Sequence, residues 1–321
     1  MLMGSVSVLA AEARVEDGLI APRRTVSVID TATNEAAARA IEVGPYPSSI
    51  AISPDGGRAY VVTSGNGSVA VVDLAANRLV GNPIKIGPYP EGIAITPDGG
   101  RAYAVNYGNN SVYAIDTETK EVVAKIRVGR GPTAIAVTPD STHAYITNSR
   151  DDTVSVIDTA TNEVAARAIK VGRVPLALAV APDGTRVYVA NIRDDTVSVI
   201  RTATNKLAPG KIRTGDGPTA IAITTDGRRL YVANARDDTV SVINTATDGL
   251  AVKAIEVGHR PTAIALDPAS RRAYVTGLEP GSLSVINTKV NKPVAKPIEV
   301  GPFPVAIALS PDGQRAYIVH N

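Results

Sequence analysis

The sequence predicts an all-β ring of seven blades, a seven-bladed β-propeller with four antiparallel strands per blade, on three observations. A glycine closes the last segment of every repeat, at Gly44, Gly87, Gly129, Gly172, Gly215, Gly258 and Gly301. A tyrosine recurs inside each unit, at Tyr60, Tyr103, Tyr145, Tyr188, Tyr231, Tyr274 and Tyr317. Successive markers of each kind lie 42 or 43 residues apart, and no segment shows the apolar period of a helix.

Within a unit the strands follow from turn chemistry. Strand A is the Ile93-Ala94-Ile95 type, and a Pro97-Asp98-Gly99 turn leads to strand B, Ala102 to Val105. Strand C is the Thr153-Val154-Ser155-Val156-Ile157 type, and the turn Thr159 to Asn162 leads to strand D and its closing Val-Gly. Every strand A carries alanine at one place, as in Ala51, Ala94, Ala136 and Ala222. Inner strands converge on the ring axis, so a small side chain is expected where neighbouring blades approach most closely.

The chain begins and ends in the middle of a blade. After Tyr317 no third strand follows, whereas Thr25 to Asp30 and Ala36 to Val43 are a strand C and a strand D without partners. Pairing these N-terminal strands with strands A and B of residues 305–320 completes the seventh blade and removes two open sheet edges. The expected organisation is a single propeller domain over residues 23–321, with residues 1–22 an extension outside the repeat register. Gly4-Ser5-Val6-Ser7-Val8 echoes Gly67-Ser68-Val69-Ala70-Val71, which favours a stray strand. The alternative is a signal remnant in residues 1–13, which lack a basic start. The first reading leaves a cytoplasmic location, the second a secreted or cell-surface one.

Composition excludes several classes. Lys and Arg number 33 against 31 Asp and Glu, with no basic run, so nucleic acid is not an expected partner. No stretch approaches the roughly 20 apolar residues of a membrane span. With no cysteine there are no disulfides, thiolate metal sites or Cys nucleophiles. A monomer or weak oligomer is expected.

Tyr145-Ile146-Thr147-Asn148, Tyr188-Val189-Ala190-Asn191 and Tyr231-Val232-Ala233-Asn234 resemble the motif that names the YVTN-repeat propellers. The Ser-Pro-Asp-Gly and Val-Ser-Val-Ile-Asp segments fit the same family, and the likeness runs from Thr25 onward. It implies a seven-bladed propeller of the kind found in microbial surface-layer proteins. Related seven-bladed propellers include lactonases and lyases, so the resemblance specifies fold and leaves function open.

The two faces of the ring differ. The A–B and C–D turns share one face and repeat with little change, their Asp, Asn and Gly being turn formers. The D–A and B–C loops share the other face and vary, and they surround the mouth of the central channel. Tyr46, Tyr89, Tyr107 and Phe303 fall in loops of the seventh, first and second blades. The opposite arc carries Arg130, Arg173, Asp216, His259 and Arg260. Arg150, Arg193 and Arg236 precede a repeated Asp-Asp-Thr and are expected to be neutralised by it. A mouth with an aromatic wall and a cationic wall predicts a small organic ligand, anionic and partly aromatic or apolar, held by Tyr46, Tyr89, Glu91, Tyr107, Arg130, Arg173, Asp216, Arg260 and Phe303. Exposed Tyr and Arg equally suit a non-catalytic surface or scaffold propeller that docks a protein partner.

No cofactor or metal is expected, because no His, Asp and Glu fall at ligand spacing and no phosphate-binding or nucleophile-elbow motif occurs. Chemistry, if there is any, is then metal-free acid–base work of the lyase, cyclase or lactone-hydrolase type. The candidate pair is His259, in a D–A loop, and His320, which holds the place of Asn106, Asn148, Asn191 and Asn234 in the seventh blade. Histidine titrates near neutrality, which suits both roles.

Overall fold

The computed structural model describes residues 24–321; the extension expected at 1–22 lies outside the described residues. Seven small antiparallel sheets surround a central channel. The third blade sets the pattern, with strand A at Pro132–Val137, B at His143–Asn148, C at Thr153–Asp158 and D at Glu163–Lys170, innermost to outermost. Alternating β-branched residues suit strands buried on both faces, and the cores lie between blades. Tyr103, Val105 and Val112 of the second blade meet Ala144, Ile146 and Ile157 of the third.

The seventh blade closes as expected. Its strand order is Ala36–Glu42, Thr25–Asp30, Arg315–His320, Pro304–Leu309, so the first and last described strands share one sheet. Thr25 pairs with His320 and Asp30 with Arg315, in unbroken antiparallel register. The repeat alanines meet the interface between blades. Ala51 packs toward the Tyr60 and Ile93 cluster, and Ala136 toward Tyr145 and Val189.

All seven repeat tyrosines are buried, and each hydroxyl whose bond is resolved reaches the C–D turn of the following blade. Tyr60 donates to the Thr117 carbonyl at 3.1 Å, Tyr103 to Asn162 Oδ1 at 2.8 Å and Tyr145 to Asn205 Oδ1 at 2.7 Å. Burial pushes the Tyr145 phenol up to about 12, and it raises Tyr60, Tyr103, Tyr188 and Tyr231 in the same direction. Arginines assist. Arg186 donates to the Thr245 carbonyl, and Arg272 to the Thr31 carbonyl at 2.8 Å, which carries the pattern across the closure.

Strand D is present in every blade, continuous in the second, third and seventh but split into two short pieces in the other four. Gly81 and Pro83, Pro209 and Gly210, and Pro297 interrupt the ladder in three of these, because proline donates no hydrogen bond and glycine weakens a strand. The fifth blade breaks at 251–254 without either residue, and nothing in its sequence explains why.

Candidate functional site

The D–A and B–C loops do share a face, tied together by backbone hydrogen bonds. Ser64 N–H donates to the Tyr46 carbonyl, Tyr107 N–H to Tyr89, Ser149 N–H to Gly131, and Asn321 N–H to Phe303. The accepting residue, just before the loop proline, is left-handed in every blade: Tyr46 (φ 52°), Tyr89 (58°), Gly131 (65°), Val174 (53°), Gly217 (68°), Arg260 (48°) and Phe303 (53°). Glycine adopts this conformation freely, whereas other residues are strained by about 1–2 kcal/mol each. Two loops use glycine, so the template accepts it. Five instead carry a larger side chain.

The aromatic arc is present, in unequal states. Tyr89 is 64% exposed. Tyr46 is half-buried with its ring over Gly65, where a Cβ would lie 2.5 Å from Tyr46 Cδ2. Phe303 packs against the cluster that contains Leu278 and Val305. Tyr107 is capped by the Arg150 guanidinium, 4.6 Å from its ring centroid.

The cationic arc is reorganised. Arg130 Nε donates to Asp151 Oδ1 at 2.6 Å and Arg173 Nε to Asp194 Oδ1 at 2.5 Å. Arg260 pairs with Glu279 at 3.3 Å, and Asp216 with Arg236 at 2.9 Å. The hydrogen bond from Arg173 holds the Asp194 carboxyl below its ordinary value. The expected neutralisation of Arg150 and Arg193 by the adjoining Asp-Asp is therefore wrong. Those carboxylates turn to the preceding D–A loop, where they also accept the Arg130 and Arg173 backbone N–H. Arg150 is released to stack on Tyr107, and Arg193 is exposed.

The two histidines fare differently. His259 Nδ1 lies 2.6 Å from Asp238 Oδ2, which fixes this nitrogen as the donor and leaves Nε2 on the outer side of a half-exposed ring. His320 is 2% exposed, and its Nδ1 donates to the Pro302 carbonyl at 3.1 Å. It is the last residue of strand B rather than a loop residue, and its side chain is buried. Their partners differ, and His320 is not presented to the mouth as an acid–base group.

A hollow of about 170 Å³ lies in the channel at this face, lined by Ser48, Ser49, Glu91, Gly92, Ile93, Thr133, Ala134, Ile135, Leu176, Val305 and Ala306. Glu91 is the one residue expected at the site that lines it. Ser48 and Thr133 were not expected, although they stand in one repeat column, the residue after the loop proline: Ser48, Glu91, Thr133, Leu176, Thr219, Thr262 and Val305. Hydroxyls of this column join successive blades. Ser48 Oγ donates to the Glu91 carbonyl at 2.9 Å, Thr219 Oγ1 to Pro261 at 2.9 Å and Thr262 Oγ1 to Pro304 at 2.7 Å. A larger hollow of about 490 Å³ lies on the uniform face between the fourth and fifth blades, over Asp183, Arg186, Tyr188 and Asp226. There Ala181 replaces the Ser or Thr that bonds the turn Asp in five blades, as Thr138 Oγ1 does to Asp140. Among the described residues no group of three or more His, Asp and Glu could hold a metal ion, and no helix is long and apolar enough to cross a membrane.

No protein-family model matches the sequence, and no curated protein matches it. Solved structures share the fold. Hydrazine synthase of Kuenenia stuttgartiensis superposes with a TM-score of 0.77 at 22% identity, over 86% of this chain and 96% of that one. A protein of unknown function from Desulfotomaculum acetoxidans DSM 771 gives 0.75 at 20% identity, over 87% and 96%. At such identities the likeness carries the architecture alone, that of a seven-bladed β-propeller.

Proposed function

We propose that this protein is a non-catalytic propeller of the YVTN-repeat kind whose loop face docks a protein partner. The observation that carries the reading is Tyr89, exposed to 64% in a strained left-handed conformation that sister loops satisfy with glycine. Strain retained for a side chain with few contacts points to a use outside the fold. Tyrosine is favoured at interface centres, where its ring becomes buried. The partner's chemistry follows from the flanks: Pro88, Tyr89 and Pro90 beside Pro45 and Tyr46 form a ridge suited to an apolar or proline-rich segment. Arg130, Arg173, Asp216 and Arg260 on the same face are already paired, which suits the rim of such an interface. A free fork for a small carboxylate is a poorer match to paired arginines, and a hollow of about 170 Å³ falls short of the roughly 300 Å³ at which sites for larger ligands begin.

The test separates fold from binding. Photo-crosslinkers at position 89 and, as a control on the opposite face, at position 225 identify the partner. Tyr89→Gly then weakens its binding at least tenfold. Relief of strain, about 1–2 kcal/mol, exceeds the roughly 0.5–1 kcal/mol that glycine adds to the entropy of the unfolded chain. The melting temperature is therefore unchanged or raised by up to about 2 °C. A clear fall in melting temperature makes Tyr89 a structural residue and removes the argument.

A catalytic reading has one favourable observation, the His259 and Asp238 pair. Its test is His259→Gln, which abolishes any turnover found on a lactone or elimination substrate if His259 is the base.

A further inference from the structure

We propose that two copies of this chain pack face to face through the uniform face, the third blade of each lying over the fourth blade of the other. This face is opposite the one in the docking reading, and the proposal does not depend on that reading. It rests on how charge is set out in two neighbouring blades. In the third, His143, Asp158 and Glu163 stand directly opposite one another across strands B, C and D. In the fourth, the same row is Arg186, Arg201 and Lys206. One row is acidic and the other basic, and residues directly opposite on a ladder share a side of the sheet.

The fold does not require this arrangement. Like charges directly opposite each other destabilise a strand pair, and Asp158 with Glu163 and Arg201 with Lys206 are both such pairs. The column of Asp158 and Arg201 has a local task, to accept an N–H of the C–D turn. Asp30, Asp73, Asp116 and Asp158 do so, and so do the uncharged Asn244 and Asn287, at 2.8 to 3.1 Å. A guanidinium has no acceptor, so Arg201 gives that bond up, and Thr204 N–H falls back on the Arg201 carbonyl at 3.4 Å. A turn bond lost for a cation that stands beside a second cation points to a use outside the chain.

Nor does the chain pair these charges itself. Among the described residues the loop face holds seven ion pairs. The uniform face holds one, Arg186 with Asp248 at 3.5 Å. Asp158, Glu163, Arg201 and Lys206 form none. The Thr161 backbone N–H holds the Asp158 carboxyl below its ordinary value, so the acidic row is ionised at neutral pH.

A surface that carries both signs side by side matches itself. A two-fold axis lying in the face, between the third and fourth blades, sets each acidic row against the basic row of the second copy, which is an isologous contact. A partner of one sign, such as nucleic acid, is repelled by one of the two rows. Apolar surface lies beside the charges. Val164 and Leu207, both exposed, follow Glu163 and Lys206 on strand D, where a second copy covers them.

The experiment is sedimentation velocity on the full chain at neutral pH over a range of protein concentrations, at low and at high salt. Between about 20 mM and about 500 mM salt the screening length falls from roughly 20 Å to roughly 4 Å. The expected result is a monomer–dimer equilibrium at low salt, with Kd on the order of 10–100 µM, weakened at least tenfold at high salt. Glu163→Lys and Lys206→Glu each weaken the dimer at least tenfold. Mixed in equal amounts, the two variants restore it, because every contact then joins opposite charges again. Arg201→Asn, which returns the turn acceptor, gives a monomer that melts no lower than the parent, and Tyr89→Gly leaves the dimer intact. The proposal is overturned if the chain stays monomeric at low salt or if the dimer ignores salt. It is equally overturned if a charge reversal or Arg201→Asn dimerises like the parent, if the mixture stays monomeric, or if Tyr89→Gly dissolves the dimer.

Discussion

The buried tyrosines make the ring sensitive to alkali, and Tyr145 sets the size of the effect. Its phenol is buried beneath the next blade and donates to Asn205 Oδ1 at 2.7 Å, so the neutral form is favoured and the folded group holds its proton to about 12. In the unfolded chain the same group releases it at about 10. The resulting stabilisation is complete below pH 10 and is lost as pH rises through 12. Two pH units at about 1.4 kcal/mol each give an upper bound of roughly 2–3 kcal/mol for this residue alone. Tyr60, Tyr103, Tyr188 and Tyr231 act in the same direction. Melting temperature followed by circular dichroism from pH 8 to 12, beside phenolate absorbance, is the assay. A set of phenols should ionise only as the β signal is lost. Tyr145→Phe should cost about 0.5–1.5 kcal/mol at pH 8 through the lost hydrogen bond, yet flatten the decline between pH 10 and 12. Ionisation of every phenol by pH 11 with the propeller still folded would refute the reasoning.

Two further outcomes follow from the packing. Removing residues 1–43 exposes the outer edge of Arg315–His320 and should give an aggregating protein, whereas removing 1–22 leaves the paired strands intact; sedimentation velocity and circular dichroism distinguish the two. A soluble, folded monomer from the longer deletion would contradict the closure. Ala136→Leu overpacks the interface beside Tyr145 and Val189, at about 1–3 kcal/mol, which a chain of this size reads as a fall of about 2–5 °C in melting temperature.

The ring, its blade count and its closure were legible in the sequence because each rests on a repeated local requirement. The tyrosine must be buried seven times, and the C–D turn needs a left-handed residue, supplied by Asn at Asn77, Asn162, Asn205 and Asn291. The mouth was legible only in part. That Tyr89 stands exposed on a D–A loop was readable from its position. That Asp151 would reach back 21 residues to Arg130, rather than bond the adjacent Arg150, depends on how two loops turn against each other, and no periodicity encodes it. His320 differs for a related reason: its column is the end of strand B, where Asn106, Asn148, Asn191 and Asn234 are all buried, and the histidine is buried with them. The lining of the hollow was recoverable, since reading down the column from Ser48 to Val305 isolates Glu91 as the departure.

The register of the seventh blade also ties folding to the order of synthesis. The hairpin of Thr25–Asp30 and Ala36–Glu42 leaves the ribosome early, but the strand it must pair with ends at His320. At about 5–20 residues per second, the interval is roughly 15–60 s. During that time the hairpin has one open edge, and its Val26, Val28 and Ile41 have only the first blade to cover them. The contact that ends the wait spans nearly the whole chain, the kind of long-range pairing that slows folding. Because Arg272 bonds the Thr31 carbonyl of that same hairpin, the sixth blade too gains its last partner from the earliest-made part of the ring. Completion of Arg315–His320 is therefore the step after which a growing row of blades can become a closed ring.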